Sequence, residues 1–248
     1  MAEQVGSRWF PFHHSVPDAE VQLFCLPWAG QGASAYRAWQ DELGPTVEVI
    51  AVQLPGRETR FDEPPLSAVD AIVEGLTGPL LARADRPFAL FGHSMGALLA
   101  FEIAHEAVRR GSPPVQLIVS GLEAAHDRTP VQGTTHELPE PELLEHLLKL
   151  GGIPSEGHQY PELVSLFLPT LRADLAVGET YRYRARPLLP VPITALAGRD
   201  DPMVDHRRLA GWSQLTCKEA QTYVLPGEHF YLDVERRAVL DIVGSVLR

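Results

Sequence analysis

The sequence predicts an α/β fold with a mainly parallel central sheet flanked by helices. Short apolar runs rich in Val, Ile and Phe alternate along the chain with longer segments in which apolar residues recur at helical spacing. Strands that alternate with helices in this way are typical of a parallel sheet with crossover helices. At 248 residues and 45% apolar composition, the chain can bury its core as a single domain, residues 1–248.

Each predicted strand is a short apolar run bounded by turn-forming or charged residues. The runs recur throughout the chain and are separated by segments long enough to form a crossover. Six strands are predicted, near Val21–Leu26, Val47–Gln53, Phe88–Phe91, Val115–Ser120, Ile193–Ala197 and Gln221–Leu225.

The predicted helices place their apolar residues three or four positions apart, as a helix that covers a sheet requires. One helix follows Ser34 and has the sequence AYRAWQDEL. A second, AVDAIVEGLTGPLLAR, has Ser67 before it as a candidate N-cap. A further helix, ERRAVLDIVGSVL, lies near the C-terminus.

The segment from Leu122 to Pro190 interrupts the alternation of strands and helices. It is rich in proline and glycine and contains two helix-like pieces, Glu140–Leu150 and Pro161–Val177. We therefore expect an insertion at about residues 122–190. The apolar faces of these two pieces are expected to cover the functional site, with Leu147 and Phe167 as candidate wall residues.

Composition and charge restrict the class of protein. The formal net charge of −11 disfavours nucleic acid and anionic membranes as partners. No stretch approaches about 18 consecutive apolar residues and no signal peptide is visible, so a cytoplasmic location is expected. Cys25 and Cys217 are expected to be buried thiols. Neither lies in a cluster with metal-ligand spacing, so no metal or cofactor is predicted.

Ser94 lies in the pentapeptide Gly-His-Ser-Met-Gly, between the apolar run FALF and the helical segment MGALLAFEIAHEAVRR. Gly92 and Gly96 permit a sharp strand-to-helix turn, which would expose the hydroxyl group at the carboxyl edge of the sheet. This context predicts a nucleophile elbow, with Ser94 as the catalytic nucleophile.

A serine nucleophile requires a base and an acid that orients the base, and in this arrangement they follow in the order serine, acid, histidine. His229 follows the last predicted strand. Asp200 and Asp201 both follow the strand before it. Gly198 and Pro202 favour Asp201, because the acid commonly stands three residues after a glycine and often before a proline; Asp200 remains the alternative.

The other histidines are less suitable as the base. His93 precedes the nucleophile, and its side chain is expected to point away from Ser94 and to pack beside it. The remaining histidines have terminal, helical or insertion contexts and are expected to be solvated or capping; they are His13, His14, His105, His126, His136, His146, His158 and His206.

An oxyanion hole requires two N–H groups aimed at the reacting oxygen. The N–H of Met95, at the start of the helix after Ser94, is the first candidate. The segment LPWAGQGASAY follows the first strand, and its Gly30 and Gly32 leave the backbone open to an approaching oxygen. The N–H of Ala29 is the candidate for the second donor.

Five segments of the chain, taken in order, match one family. They are LPWAGQGASAY, VQLPGRETRFDEPP, FGHSMGALLAFEIA, AGRDDPMV and GEHFYL. With these segments the chain resembles the type II thioesterases, which are free-standing editing hydrolases of polyketide and nonribosomal peptide assembly lines. The resemblance extends over nearly the whole sequence and implies the α/β-hydrolase fold, with the insertion at about residues 122–190 forming a helical lid.

The resemblance also implies a substrate, a partner and a role in antibiotic biosynthesis. The expected activity is hydrolysis of acyl groups from the phosphopantetheine thiol of acyl or peptidyl carrier proteins by Ser94, His229 and Asp201, without a cofactor and as a monomer. Three departures, at Trp28, Gln31 and Glu228, affect the expected shape of the acyl pocket. A small-molecule carboxylesterase or an acyltransferase on the same fold is the alternative.

Carrier proteins of this kind are usually acidic, so recognition by a chain of this charge must rely on a local basic surface, on apolar contact, or on weak binding in which the phosphopantetheine arm supplies most of the affinity. Arg57, Arg60 and Arg128 are candidates for such a surface. An equally open alternative is that these are solvated surface arginines, or that Arg60 forms a structural ion pair with Asp62 or Glu63.

Overall fold

The structure is a computed structural model that describes residues 8–12, 15–128, 134–149 and 161–248. Six strands form one sheet in the order β2-β1-β3-β4-β5-β6, and each of the five strand pairings is parallel. All six predicted strands are present. They are β1 (Val21–Leu26), β2 (Val47–Ala51), β3 (Phe88–His93), β4 (Gln116–Ser120), β5 (Ile193–Gly198) and β6 (Ala220–Leu225).

The strand register brings the carboxyl ends of the central strands to one edge of the sheet. Leu26 at the end of β1 is paired with Gly92, and His93 at the end of β3 is paired with Ser120 at the end of β4. Loops that follow these strands therefore meet at this edge, where α/β sheets bind their ligands.

Seven α-helices are present in the described part of the chain. Two helix predictions need correction. Ser67 is not the N-cap of the second predicted helix, because that helix begins at Val69 after Ala68 and has no side-chain cap. The segment after Ser34 is a 3₁₀ turn, Ala33–Tyr36, followed by a short separate helix. The helices are α1 (Trp39–Leu43), α2 (Val69–Arg83), α3 (Met95–Arg109), α4 (Glu140–Lys149), α5 (Pro161–Thr180), α6 (Tyr231–Val234) and α7 (Arg236–Val246).

Apolar residues fill the space on both faces of the sheet. On one face, α2 and α3 bury Leu76 and Phe101 against Leu26 and Leu90. On the other face, Leu240 of α7 belongs to a second cluster. The alternation of strands along the chain thus produces a three-layer domain, because parallel strands must be covered on both faces.

The chain between β4 and β5 contains α4 and α5, so both helices predicted in the 122–190 segment are present. They share a small apolar cluster, formed by Leu143 and Leu147 of α4 with Leu168 and Leu171 of α5. This cluster is separate from the two clusters that cover the sheet.

The two cysteines differ in their surroundings. Cys25 lies in β1 and is fully buried, and burial raises the pKa of its thiol. Cys217 is exposed, so the prediction that both thiols are buried is wrong for Cys217.

Within the described ranges, no helix combines the length and apolar character that crossing a bilayer would require.

Candidate active site

Ser94 lies at the sharp turn between β3 and α3. Its backbone has a φ of 53° and a ψ of −118°, a conformation that L-residues rarely adopt. A Cβ atom at position 92 would overlap the Gly96 carbonyl, and one at position 96 would overlap the Leu26 carbonyl. The two glycines are therefore needed for this turn, and the side chain of Ser94 is presented at the carboxyl edge of the sheet.

A hydrogen-bonded chain of three side chains connects Ser94 to the loops after β5 and β6. The Nε2 atom of His229 lies 3.0 Å from Ser94 Oγ, and its Nδ1 atom lies 2.7 Å from Asp201 Oδ2. The side chains of His229 and Asp201 are 4% and 0% exposed. This arrangement can take a proton from the serine hydroxyl and stabilise the resulting imidazolium.

Asp201, rather than Asp200, faces the histidine. Its second oxygen, Oδ1, accepts hydrogen bonds from the N–H groups of Met203 and Val204 at 2.8 and 3.2 Å. Asp200 is exposed, and its N–H donates to Gly227 O at 3.0 Å, which ties the loop after β5 to the loop after β6. This backbone contact keeps Asp201 within reach of His229.

His93 packs beside the site, as the sequence predicted. Its ring is buried, and its centroid lies 5.0 Å from that of His229. Its Nδ1 atom lies 2.9 Å from Ser120 Oγ, which in turn lies 2.5 Å from the hydroxyl oxygen of Tyr231. Burial, and secondarily the nearby His229, lower the pKa of His93 well below its usual value. His93 is therefore a neutral support for the His229 ring.

Trp28 packs among aromatic rings next to His93. Its ring centroid lies 5.5 Å from His93, 6.0 Å from Tyr36 and 6.4 Å from Phe230. Trp28 therefore fills the space behind the site. It is one of the three positions at which the sequence departs from the type II thioesterase pattern, and its role here is structural.

A cavity of about 390 Å³ opens beside Ser94. Ala29 and Met95, the residues predicted to supply oxyanion donors, both line it together with His229. Met95 is the first residue of α3, where N–H groups lack acceptors within the helix. The N–H of Gly30 is already bonded to Asp174 Oδ2 at 2.7 Å, which leaves Ala29 as the candidate in that loop.

Helices α4 and α5 supply part of the cavity wall, through residues that the sequence prediction missed. Neither predicted wall residue lines the cavity: Leu147 packs between α4 and α5, and the Phe167 side chain faces outwards, 46% exposed. The prediction is therefore wrong for these two positions. The lining residues from the two helices are His146, Asp174, Leu175, Gly178 and Glu179.

Two of the three arginines predicted for carrier docking are buried instead. Arg57 and Arg60 are 3% and 8% exposed. Arg57 donates to both carboxylate oxygens of Asp174 at 2.7 Å, and Arg60 donates to both oxygens of Glu63 at 2.9 and 2.6 Å. The docking prediction is wrong for both residues, and the alternative of a structural pair between Arg60 and Glu63 is confirmed.

The third arginine, Arg128, lines the cavity. Its guanidinium group lies 5.9 Å from the ring centroid of Tyr181 and 3.4 Å from Gly178 O. Partial burial lowers the pKa of this guanidinium group. A docking role for Arg128 stays a prediction.

A larger groove, of about 660 Å³, lies between α2, α3 and the chain after α5. Its charged residues pair with one another: Arg186 with Glu102, Arg184 with Asp70 and Arg109 with Glu106. We place the candidate active site in the smaller cavity, because that cavity contains Ser94 and His229.

The family model described as "Thioesterase domain" matches residues 21–247. The chain belongs to the thioesterase domain family. The match includes all six strands and the three residues that form the hydrogen-bonded chain.

Several known proteins are similar to this chain over most of its length. This thioesterase-family protein is 37% identical to the linear gramicidin dehydrogenase LgrE of Brevibacillus parabrevis, covering 98% of this chain and 93% of LgrE. It is 37% identical to the thioesterase PikA5 of Streptomyces venezuelae, covering 96% and 85% of the two chains. The structure of BorB, a type II thioesterase from the borrelidin biosynthetic cluster, superposes with a TM-score of 0.88 at 41% identity, covering 96% of both chains. These thioesterase neighbours have the α/β-hydrolase fold.

Proposed function

We propose that this protein is a type II thioesterase that hydrolyses acyl groups from the phosphopantetheine thiol of acyl or peptidyl carrier proteins. One observation carries the proposal: the Ser94 hydroxyl, at a strained strand-to-helix turn, is 3.0 Å from His229 Nε2, whose other nitrogen is 2.7 Å from Asp201. Thioesterase relatives such as PikA5 and BorB support the choice of a thioester over other acyl substrates.

In the first half of the reaction, His229 takes the proton from Ser94 as the hydroxyl oxygen attacks the thioester carbonyl carbon. Asp201 holds the imidazole ring in the required orientation and stabilises its positive charge. The carbonyl oxygen becomes an oxyanion, which the N–H groups of Ala29 and Met95 stabilise.

The carbon–sulfur bond of the tetrahedral intermediate then breaks, His229 gives its proton to the departing sulfur, and the acyl group remains on Ser94. A thiol has a pKa of about 8.5, so the thiolate is a stable leaving group and needs less protonation than an amine would. In the second half, neutral His229 takes a proton from water as the water oxygen attacks the acyl carbonyl carbon. The bond to Ser94 Oγ then breaks, His229 returns the proton to Oγ, and the free acid is released. This reaction needs no group beyond the named residues and water.

Several further properties belong to the same proposal. The whole sequence, residues 1–248, forms one catalytic domain, and the segment at about residues 122–190 acts as its lid. The protein works in the cytoplasm as a monomer and edits assembly lines by removing stalled or misprimed acyl groups. The α4 and α5 residues that line the cavity support the lid assignment.

The name of LgrE raises hydride transfer as another possibility. The geometry favours acyl transfer, because hydride transfer does not use an activated serine at a strained turn, whereas formation of an acyl-enzyme does. The same triad would also serve a carboxylesterase or an acyltransferase, and these are distinguished by substrate and product.

Mass spectrometry of a panel of acyl-loaded carrier proteins tests the proposal. Wild-type protein should release free acids and regenerate the free thiol on the carrier. Ser94→Ala should abolish release while it leaves the melting temperature nearly unchanged, because alanine fits the same turn. Full release by Ser94→Ala, or faster hydrolysis of simple esters than of carrier thioesters, would contradict the proposal.

A further inference from the structure

The segment QLPGRETR, at residues 53–60, has no part in the proposed reaction, yet its side chains hold the loop that follows β1. Gln53 Oε1 accepts a hydrogen bond from the N–H of Ala33 at 3.0 Å. Glu58 Oε1 accepts one from the hydroxyl group of Ser34 at 2.5 Å. The loop after β2 therefore holds in place the loop after β1, which carries Ala29.

The buried ion pair of Arg57 and Asp174 connects the loop after β2 to α5. The guanidinium group donates to both carboxylate oxygens at 2.7 Å, and the two side chains are 4% and 0% exposed. Two buried charges in a bidentate contact depend on each other, because either one alone would remain uncompensated. Helix α5 is thereby fixed at one point against the sheet edge.

Both members of the pair also bind the backbone next to Ala29. Asp174 Oδ2 accepts a hydrogen bond from the N–H of Gly30 at 2.7 Å, and Arg57 Nη1 donates to Gln31 O at 3.0 Å. The Gly30 nitrogen belongs to the peptide group that begins with the carbonyl of Ala29. Holding this peptide plane limits the directions that the Ala29 N–H can take.

We propose that Asp174 and Arg57 are positioning residues that aim the Ala29 N–H at the oxyanion, so that α5 completes the oxyanion hole. The inference rests on the proposed function, since it needs an oxyanion at this position. An oxyanion donor is effective only when its direction is set before the reaction. If the loop must become ordered during the reaction, the free energy of that ordering reduces the stabilisation of the transition state.

The first test is Asp174→Asn, which keeps the shape of the side chain and removes its charge. Loss of one oxyanion donor costs about 10²–10³ in kcat, so a misdirected donor should lower kcat for a short acyl-pantetheine thioester at least about tenfold. The KM should stay within about twofold, because the donor acts mainly in the transition state.

A second variant covers the case in which Asp174→Asn does not fold. In Arg57→Met/Asp174→Leu both buried charges are absent, and such apolar replacements often preserve stability. The Gly30 N–H nevertheless loses its acceptor, so the same fall in kcat is expected. The control is Thr170→Val, which breaks the 2.5 Å hydrogen bond from this α5 side chain to Gly56 O and leaves the Gly30 contact intact. It should keep wild-type kcat.

Each outcome decides the inference. A folded variant with unchanged kcat, or one in which only KM rises, would overturn it. Failure of the double variant to fold, or an equal loss of kcat in Thr170→Val, would show that the contacts serve stability instead. Ser94→Ala separates this inference from the proposed function: if it is inactive while the Asp174 variants are unaffected, only the positioning role fails.

Discussion

Ser94 has a backbone conformation that costs about 1–3 kcal/mol in a residue with a side chain. The surrounding contacts hold it there: its N–H donates to Ser120 O at 2.7 Å, and its carbonyl accepts from the N–H of Ala97 at 3.0 Å. The first contact comes from β4 and the second from α3. Hydrogen bonds from these two elements thus hold the strained backbone of Ser94, and its hydroxyl group stays directed at His229.

The choice between two adjacent aspartates can be tested directly. We predict that Asp201→Asn lowers kcat by about 10²–10⁴. An amide has no negative charge to stabilise the imidazolium, and its NH₂ group can favour the wrong tautomer of His229. Steady-state hydrolysis of an acyl-pantetheine thioester measures the effect.

Asp200→Asn is the matched control for this prediction. Its side chain is exposed, and its backbone N–H makes the structural contact, so activity within about twofold of wild type is expected. If Asp200→Asn is the inactive variant, the acid has been assigned wrongly.

Among the elements, α3 approaches β1 and β3 with almost no space between the backbones. The approach is possible because Gly92 and Gly96 have no side chains. The helix therefore begins directly above the strand that precedes it, and Met95, its first residue, lines the cavity.

We predict that Gly96→Ala destabilises the protein by at least about 3 kcal/mol, since the added carbon would overlap the carbonyl of Leu26 and α3 would have to shift. Chemical denaturation measures the change. Gly244→Ala is the control: it lies within α7, its new Cβ would be 3.8 Å from Leu43 Cδ2, and it should stabilise the fold by about 0.5–1 kcal/mol. Similar effects of both substitutions would contradict this account of α3.

The elements and residues that could be predicted from the sequence are those with a local signal. The apolar runs locate all six strands, and the turn around Ser94 is visible within five residues. Arg57 and Asp174 are separated by 117 positions, so nothing near Arg57 indicates that it is buried. The prediction for Phe167 is wrong because α5 has apolar residues on more than one side, and only the packing of α5 against α4 decides which side faces inwards.

On the scale of the whole molecule, the charge distribution bears on partner binding. The net charge is −11, and two of the three arginines proposed for docking are buried in ion pairs. An acidic carrier protein would therefore meet a surface that is negative on average. If the partner is an acidic carrier protein, as proposed, the net charge does not favour long-range attraction, and we expect docking to depend on short-range contacts.

This leads to a prediction about ionic strength. Raising NaCl from about 20 mM to about 200 mM shortens the screening length severalfold, so the KM for an acidic acyl-carrier protein should fall as repulsion weakens. Steady-state kinetics with both kinds of substrate provide the test. The KM for an uncharged acyl-pantetheine mimic should stay constant, and a carrier KM that rises with salt would instead reveal a basic docking surface.

The position of β6 has a consequence for protein synthesis. This strand lies at the edge of the sheet and pairs with β5, and His229 follows it by four residues, whereas Ser94 stands 135 residues earlier in the chain. Ser94, the proposed nucleophile, therefore leaves the ribosome long before His229, its proposed base. The contact between Ser94 and His229 can therefore form only late in translation, and we expect activity to arise only when β6 has joined the sheet.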